Sequence, residues 1–225
     1  MRLSRTPVSL LAAAALVAPT VVPPAIGADT LVEPSSGVAF ELRRPAPADD
    51  AMTLELAGVG LRKKALIFKV YAFGLYLDPA AAREHLAPFR GRSADELRAD
   101  PSFYEALAEL PGERLCVMRF LRNVGADAMR EALDASLDRT VSKDDPARAA
   151  FGALWTEKIR KGEEVAIEIA GDGTVTVWRD GRRVGSVQSA PIGLALMLSW
   201  VGPEPVSEDI KQGVAERIPD ILGGS

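Results

Sequence analysis

The stretch Gly58-Val-Gly-Leu-Arg-Lys-Lys-Ala-Leu-Ile-Phe-Lys-Val-Tyr-Ala-Phe-Gly-Leu-Tyr-Leu77 restricts the possible folds more than any other part of the chain. It is dense in branched and aromatic apolar residues, lacks a polar stripe at helical spacing and carries glycines at its start, so it reads as strand. Strands usually run roughly three to ten residues, so the run must divide. The charged triplet Arg62-Lys63-Lys64 is the natural bend. One strand is predicted over about Thr53 to Leu61 and a second over about Ala65 to Leu77, paired as a hairpin. In the second arm Ile67, Lys69, Tyr71, Phe73, Leu75 and Leu77 point one way, and Leu66, Phe68, Val70, Ala72, Gly74 and Tyr76 the other. Both rows are largely apolar, which predicts a central strand with cover, or a pocket, on each face.

The chain has 225 residues, enough for one domain with a sizeable core and too few for two comfortable ones. Its start is set apart. Arg2 and Arg5 precede an apolar run, Val8 to Val17, followed by the small-residue segment Pro23-Pro-Ala-Ile-Gly-Ala28. This is the pattern of a secretory signal peptide over residues 1–27, cleaved after Gly27 or Ala28. It predicts an exported protein, periplasmic or secreted. A membrane anchor is the weaker reading, because the run is about half of the roughly 20 residues that a span needs. Removing Arg2 and Arg5 with no acid takes the formal net charge from -4 to -6. So acidic a domain is not expected to bind nucleic acid. No later stretch is long and apolar enough to predict a span in the mature protein.

Cysteine occurs once, at Cys116, so no internal disulfide is possible and packing must supply the stability. Leu115-Cys-Val-Met118 reads as strand core, and the single histidine, His85, sits on a short polar helix. A buried small hydrophobe and a surface imidazole are the better readings than a nucleophile and its base. The same scarcity argues against a zinc or transition-metal site. No cofactor is expected.

Residues 28–52 are rich in Pro, Ala and Ser, with Phe40-Glu-Leu42 the one plausible strand, and are predicted to be a flexible lead-in that reaches the sheet edge. After the hairpin, Asp78-Pro79 starts a helix to Leu86. Ser93-Ala-Asp-Glu96 is a capping box, and a short helix spans about Pro101 to Glu109. Glu113 to Leu121 is the next strand, with Arg119 on one face and Arg114 on the other. Helices follow over Asp127 to Leu137 and from Asp145-Pro146, the latter with Phe151, Leu154, Trp155 and Ile159 along one stripe and Gly162 at its end. Glu164 to Ala170, Thr174 to Arg179 and Arg182 to Val187 read as a meander joined by Gly171-Asp-Gly173 and Asp180-Gly181. Two helices close the chain, from about Pro191 to Trp200 and from Ser207 to Ile218. This order predicts an α+β fold, an antiparallel sheet covered on one side by a layer of helices.

Three blocks resemble the chalcone isomerase-like family, particularly its bacterial secreted members. They are Gly58-x-Gly60-x-Arg62 with Lys69-Val-Tyr-Ala-Phe-Gly-Leu-Tyr-Leu77, Ser93-Ala-Asp-Glu-Leu97 with Phe103-Tyr104, and Leu196-Met-Leu-Ser-Trp-Val-Gly-Pro-Glu-Pro-Val-Ser-Glu-Asp-Ile-Lys211. The resemblance covers roughly residues 53–222, taken as the domain. It implies an open-faced sandwich, a broad sheet under helices with a ligand cleft between them.

In the family's enzymes an arginine, a lysine and Tyr, Thr and Ser hydroxyls polarise a ketone so that a phenolate can add to the enone. Carried over by position, Tyr71 stands where those enzymes have Thr, Ala128 where they have the principal Tyr, and Ala135 where they have Asn. Ser199 keeps a hydroxyl. The enzymes' arginine falls on Val59, with Arg62 three residues on. Ketone polarisation needs donors at the developing oxyanion, and two of them are methyl groups here.

The pattern therefore resembles the fatty-acid-binding, non-catalytic branch, in which an arginine and a tyrosine hold a carboxylate and an apolar cavity takes the tail. Arg62 and Tyr71 are the leading ligand-binding candidates, followed by Tyr76, Arg119 and Ser199. Arg62 beside Lys63 and Lys64 also reads as a solvated bend, and Tyr71 as a core residue. Trp155, Trp178 and Trp200 read first as packing. Three functions remain open: an exported binding protein for a fatty acid or similar apolar anion, an intramolecular lyase or isomerase using Arg62, Tyr71, Arg119 and Ser199, and a structural envelope protein with a closed core.

Overall fold

The computed structural model describes residues 29–65 and 67–223. The expected signal peptide, residues 1–27, lies outside them. Three short strands, β1 (Thr30–Val32), β2 (Ala39–Glu41) and β3 (Arg43–Pro45), precede the long hairpin β4 (Thr53–Lys64) and β5 (Phe68–Leu77). Helices α1 (Pro79–His85), α2 (Ala94–Arg98) and α3 (Pro101–Ala108) lead to β6 (Arg114–Phe120), and α4 (Ala126–Leu137) and α5 (Pro146–Gly152) follow it. The meander β7 (Glu164–Ile169), β8 (Thr174–Arg179) and β9 (Arg182–Gln188) precedes α6 (Ala190–Val201) and α7 (Glu208–Gly223).

Strands β3 to β9 form one seven-stranded sheet in chain order, every neighbouring pair antiparallel, and β1 pairs with β2 apart from it. The α+β class read from the element order is the observed one. Alternation along β5 sends Tyr71, Phe73, Leu75 and Leu77 into the cluster shared with the helices. Ala72 and Tyr76 go into a second cluster on the other face, with Phe40, Leu54, Leu56, Leu115 and Val117. That second face is not bare. Residues 30–45, expected as a lead-in with one strand, supply three, and Phe40 is 1% exposed on the sheet.

Local chemistry starts the helices where the sequence predicts. Asp78 accepts from the Ala80 amide at 2.9 Å with Pro79 in the first turn. The Ser93 hydroxyl accepts from the Glu96 amide at 3.3 Å while the Glu96 carboxylate accepts from the Ser93 amide at 2.8 Å, which satisfies amides at the start of α2 that have no partner within the helix.

Three boundaries differ from expectation. The hairpin does not bend at Arg62-Lys63-Lys64, because β4 continues to Lys64 and Ala65 takes the left-handed turn conformation, φ 50°. Helix α5 stops at Gly152, and Ile159 instead bridges to Val124 as a strand residue. Helix α7 runs through Pro219 to Gly223.

Helix α7 lies directly on β4, and glycine makes that possible. A Cβ on Gly58 would come within 2.5 Å of the Gly213 carbonyl oxygen and the Val214 Cα, and one on Gly60 within 2.5 Å of the Ile210 Cα. A Cβ on Gly213 would overlap the Val59 carbonyl oxygen. The backbones touch where other pairs of elements interpose side chains. Polar ties fix the register: the Ser207 hydroxyl donates to the Leu61 carbonyl at 2.7 Å, Lys63 pairs with Asp209 at 2.8 Å, and Arg217 Nε donates to the Leu56 carbonyl at 3.0 Å.

Candidate functional site

On the helix-facing side of β4 the row Gly58, Gly60 continues to Arg62, which the register pairs with Tyr71 of β5. Cross-strand partners share a face. Helix α7 begins only at Glu208 and its first turn lies over Gly60, so the helical layer is interrupted beyond that point. A cavity of about 340 Å³ opens there between the sheet and helices α4 and α6. Val70, Tyr71, Met118 and Phe120 form its floor, and Ala128, Met129, Ala132, Leu133 and Ser136 of α4 its roof. Ser199 and Trp200 of α6 close one wall with Val206. Arg62, Lys64, Arg122, Asn123, Val124 and Gly125 complete the lining, which contains no aspartate or glutamate among the described residues.

The polar groups differ in what they can still offer. Arg62 Nη1 donates to the Lys63 carbonyl at 2.6 Å, and no carboxylate pairs with Arg62 among the described residues. Most of its five N–H donors therefore stay available. Trp200 Nε1 donates to the Tyr71 phenol oxygen at 3.2 Å, so Tyr71 accepts that bond and keeps its own hydrogen to donate. Burial pushes the Tyr71 pKa up, with the Trp200 hydrogen bond and the Arg62 charge opposing, and the phenol is a neutral donor at physiological pH. Ser199 is different. Its hydroxyl donates to the Leu196 carbonyl at 2.7 Å within α6, leaving only lone pairs for a ligand.

Of the residues singled out from sequence, Arg62, Tyr71 and Ser199 line this cavity and Tyr76 and Arg119 do not. Tyr76 is buried on the opposite face, with the Arg44 guanidinium 5.5 Å from its ring centroid. Arg119 is half-exposed on that same face, paired with Glu164 at 2.9 Å and lying over Phe40. The physical reason is the two-residue period: Tyr71 and Tyr76 are five residues apart in one strand, and Arg119 alternates with Met118 and Phe120. Val59 also packs on the far face, whereas Ala128 lines the cavity and Ala135 lies outside it. Trp200 is a wall residue; Trp178 donates to Glu168 at 2.8 Å, and Trp155 packs against Phe151.

Sequence reasoning missed Lys64 and Arg122 at the cavity and the apolar lining of Met118, Phe120, Met129 and Leu133. A signal was present for some of them. Arg122 continues the even-numbered row of Met118 and Phe120, and Met129, Leu133 and Ser136 recur at helical spacing.

Three other depressions are larger, about 420 Å³ between α4 and α5, about 400 Å³ between β4 and the end of α7, and about 510 Å³ beside β8 and β9. Each contains charges that already pair with one another, in the second case Arg43 with Glu55 at 3.3 Å and Arg217 with Asp220 at 3.0 Å. Arg148, 6% exposed, donates to Asp134 and Asp138 at 2.6 Å, and Arg179 pairs with Glu163. Cys116 is fully buried against Met197, with its thiol pKa raised by burial. His85 Nε2 lies 3.1 Å from the Ala106 carbonyl. Neither lines the cavity, and no cluster of three or more metal-ligating side chains occurs among the described residues.

A family model described as chalcone isomerase-like matches residues 101–214, just over half of the chain. The chain belongs to the chalcone isomerase-like family. Among relatives of this chalcone isomerase-like protein, fatty-acid-binding protein 1 of Arabidopsis thaliana is 25% identical over 82% of the chain and 68% of the relative. Fatty-acid-binding protein 2 of the same plant is 24% identical over 85% of the chain, which spans about half (51%) of that longer relative. The chalcone–flavanone isomerase of Canna generalis is 23% identical over 79% of the chain and 86% of the enzyme. The crystal structure of an Arabidopsis thaliana fatty-acid-binding protein superposes with a TM-score of 0.72 at 23% identity, covering 87% of the chain and all of that structure. This shows the fold.

Proposed function

We propose that the protein is an exported, non-catalytic binding protein that holds a fatty acid or similar apolar carboxylate in the cavity between sheet and helices. The observation that carries this reading is the facing pair Arg62 and Tyr71, two donors without an anionic partner among the described residues, beside an apolar floor and roof. A carboxylate at that end accepts charge-assisted bonds from the guanidinium and a bond from the phenol. Its tail lies among Met118, Phe120, Met129, Leu133 and Trp200, where flexible methionines adapt to an irregular chain. A cavity of this size falls at the lower end of the roughly 300–1,000 Å³ of small-molecule sites. The two Arabidopsis relatives named for fatty-acid binding support the same chemistry. Export rests on Arg2, Arg5, the apolar run Val8 to Val17 and the small residues up to Ala28, and the binding domain extends to residue 222.

Native mass spectrometry of the protein purified from its host, followed by organic extraction, tests the reading. A stoichiometric fatty acid or other apolar acid is expected. A protein that is empty as purified, and that takes up no added fatty acid, overturns it.

A second reading has one observation in its favour: Arg62, Tyr71 and Ser199 share the cavity, as an intramolecular lyase or isomerase with rearranged groups requires. Against it, the Ala128 methyl stands at the cavity where the resemblance places the principal Tyr, and the Ser199 hydrogen is engaged in its own helix. Chalcone turnover above the spontaneous rate, lost in Arg62→Ala, would establish this reading. A ligand-free envelope protein needs a closed core, and the open cavity does not favour it.

A further inference from the structure

The β4–β5 hairpin ends in an arrangement that the cavity does not use. Ile67 is 73% exposed and Phe68 51%, at the far end of a sheet whose other strand residues are mostly buried. Side chains of this kind leave apolar surface in water where polar turn residues are the usual choice. Cations surround them. Between Glu55 and Asp78 the chain carries Arg62, Lys63, Lys64 and Lys69 and no acid, in a protein whose acids outnumber its bases 31 to 27. Arg122 adds a fifth charge, its guanidinium 5.4 Å from the Phe68 ring centroid.

Some of this charge is engaged. Lys63 pairs with Asp209, and Lys69 Nζ donates to the Ser35 carbonyl, which leaves its charge intact. Nearby Glu33 is buried, with its carboxylate accepting from the Ser35 and Ser36 amides. Lys64 and Arg122 have no acidic partner among the described residues, and both are exposed.

We infer that this tip docks on an anionic lipid surface, with Ile67 and Phe68 entering the headgroup region and Lys64, Lys69 and Arg122 meeting lipid phosphates. Exposed apolar side chains ringed by cations are the combination that partitions into the interface of an anionic bilayer, by apolar burial and electrostatic attraction together. A neutral groove or peptide partner accounts for the apolar pair and leaves the cations unexplained. Position gives the docking a purpose: Lys64, Val70 and Arg122 also line the cavity, so its cationic end opens beside the tip. The inference stands whether or not the cavity holds a fatty acid.

The test uses the full chain with phosphatidylcholine vesicles, either pure or containing about one third phosphatidylglycerol. An environment-sensitive fluorophore is placed on Ile67→Cys; Cys116 is fully buried, so the label reports position 67. A blue shift on anionic vesicles that is smaller on neutral ones and is reversed by salt is expected. No shift on anionic vesicles, or an equal shift on both, overturns the inference, and because the label is local, residues 1–28 do not obscure the result. In sedimentation, Ile67→Ser combined with Phe68→Ser is expected to lower the anionic-vesicle partition about tenfold while fatty-acid binding in solution is unchanged. Unchanged partition overturns docking through the tip, as does a salt-insensitive self-association that the double variant abolishes, which would assign the tip to a second copy. An unmodified protein that takes up no fatty acid in solution yet still partitions onto anionic vesicles counts against the fatty-acid reading alone.

Discussion

Two halves of the same strand face treat the helical layer in opposite ways. At Gly58 and Gly60, α7 rests on the backbone of β4, and no side chain separates them. One step further along that row stands Arg62, and the layer parts into a cavity of about 340 Å³. The difference comes from side-chain volume in a single row: two absent side chains draw a helix down, and a long cationic one keeps the next stretch open. In this fold the closed half supplies stability, and the open half leaves functional groups unpaired without exposing the rest of the core.

The largest expected effect breaks the closed half. Gly213→Ala places a methyl against the Val59 carbonyl, with backbone on both sides and no flexible side chain to yield. Alanine is favoured over glycine in a helix by about 1 kcal/mol, so a surface glycine at this site would gain. Here overpacking wins, and a net loss of about 3 kcal/mol is expected, read as a lowered denaturation midpoint. A stabilised variant would show that α7 is not seated on β4 as described.

The open half is probed by Arg62→Ala. Removing a charge-assisted donor worth about 1.5–3 kcal/mol should weaken fatty-acid binding roughly ten- to hundredfold in a fluorescent-ligand displacement assay. Stability should move by no more than about 0.5 kcal/mol, because the arginine supports no packed element. Equal loss of stability and affinity would erase the distinction between the halves.

The smallest effect comes from a control at the other end of β6. Glu113, half-buried with one carboxylate oxygen lacking a partner among the described residues, has its pKa raised from 4.5 to about 7, by burial first and the Glu168 charge second. The folded state therefore binds this proton more tightly than the unfolded chain does. Its contribution is fully present below pH 4.5 and is lost as pH rises through about 7. Glu113→Gln should flatten that loss, a gain of about 1 kcal/mol above neutrality after discounting for partial exposure, with ligand affinity unchanged. A gain at low pH instead would contradict the sign.

Much of this arrangement was legible in the residues. The alternation in β5 was readable because both of its rows are apolar, and it already placed Tyr71 and Tyr76 on opposite faces, so the pairing of those two tyrosines in one site contradicted the strand's own period. The hairpin bend was misplaced because Arg62-Lys63-Lys64 looks like a solvated turn. Strand ends that overhang a sheet tolerate charge, and the true turn uses Ala65, a residue with no turn signature. The stripe Phe151, Leu154, Trp155 and Ile159 fits a helix, yet Ile159 is claimed by Val124 across a bridge, which no local pattern reveals. The glycines at 58 and 60 were visible as punctuation. That they receive α7 depends on Gly213, and only the tertiary fold brings the three together.

The seat on β4 has a consequence for biosynthesis. The strand that needs cover, Thr53–Lys64, precedes the helix that covers it, Glu208–Gly223, by more than half of the described residues. A ribosome delivers the whole meander before it delivers the lid for the first long strand. Until then Gly58 and Gly60 present bare backbone, and a chain cut short before Glu208 cannot complete the molecule. Closure of the sheet thereby waits for Glu208–Gly223, and any earlier handling of the nascent chain takes place on a polypeptide that cannot yet close.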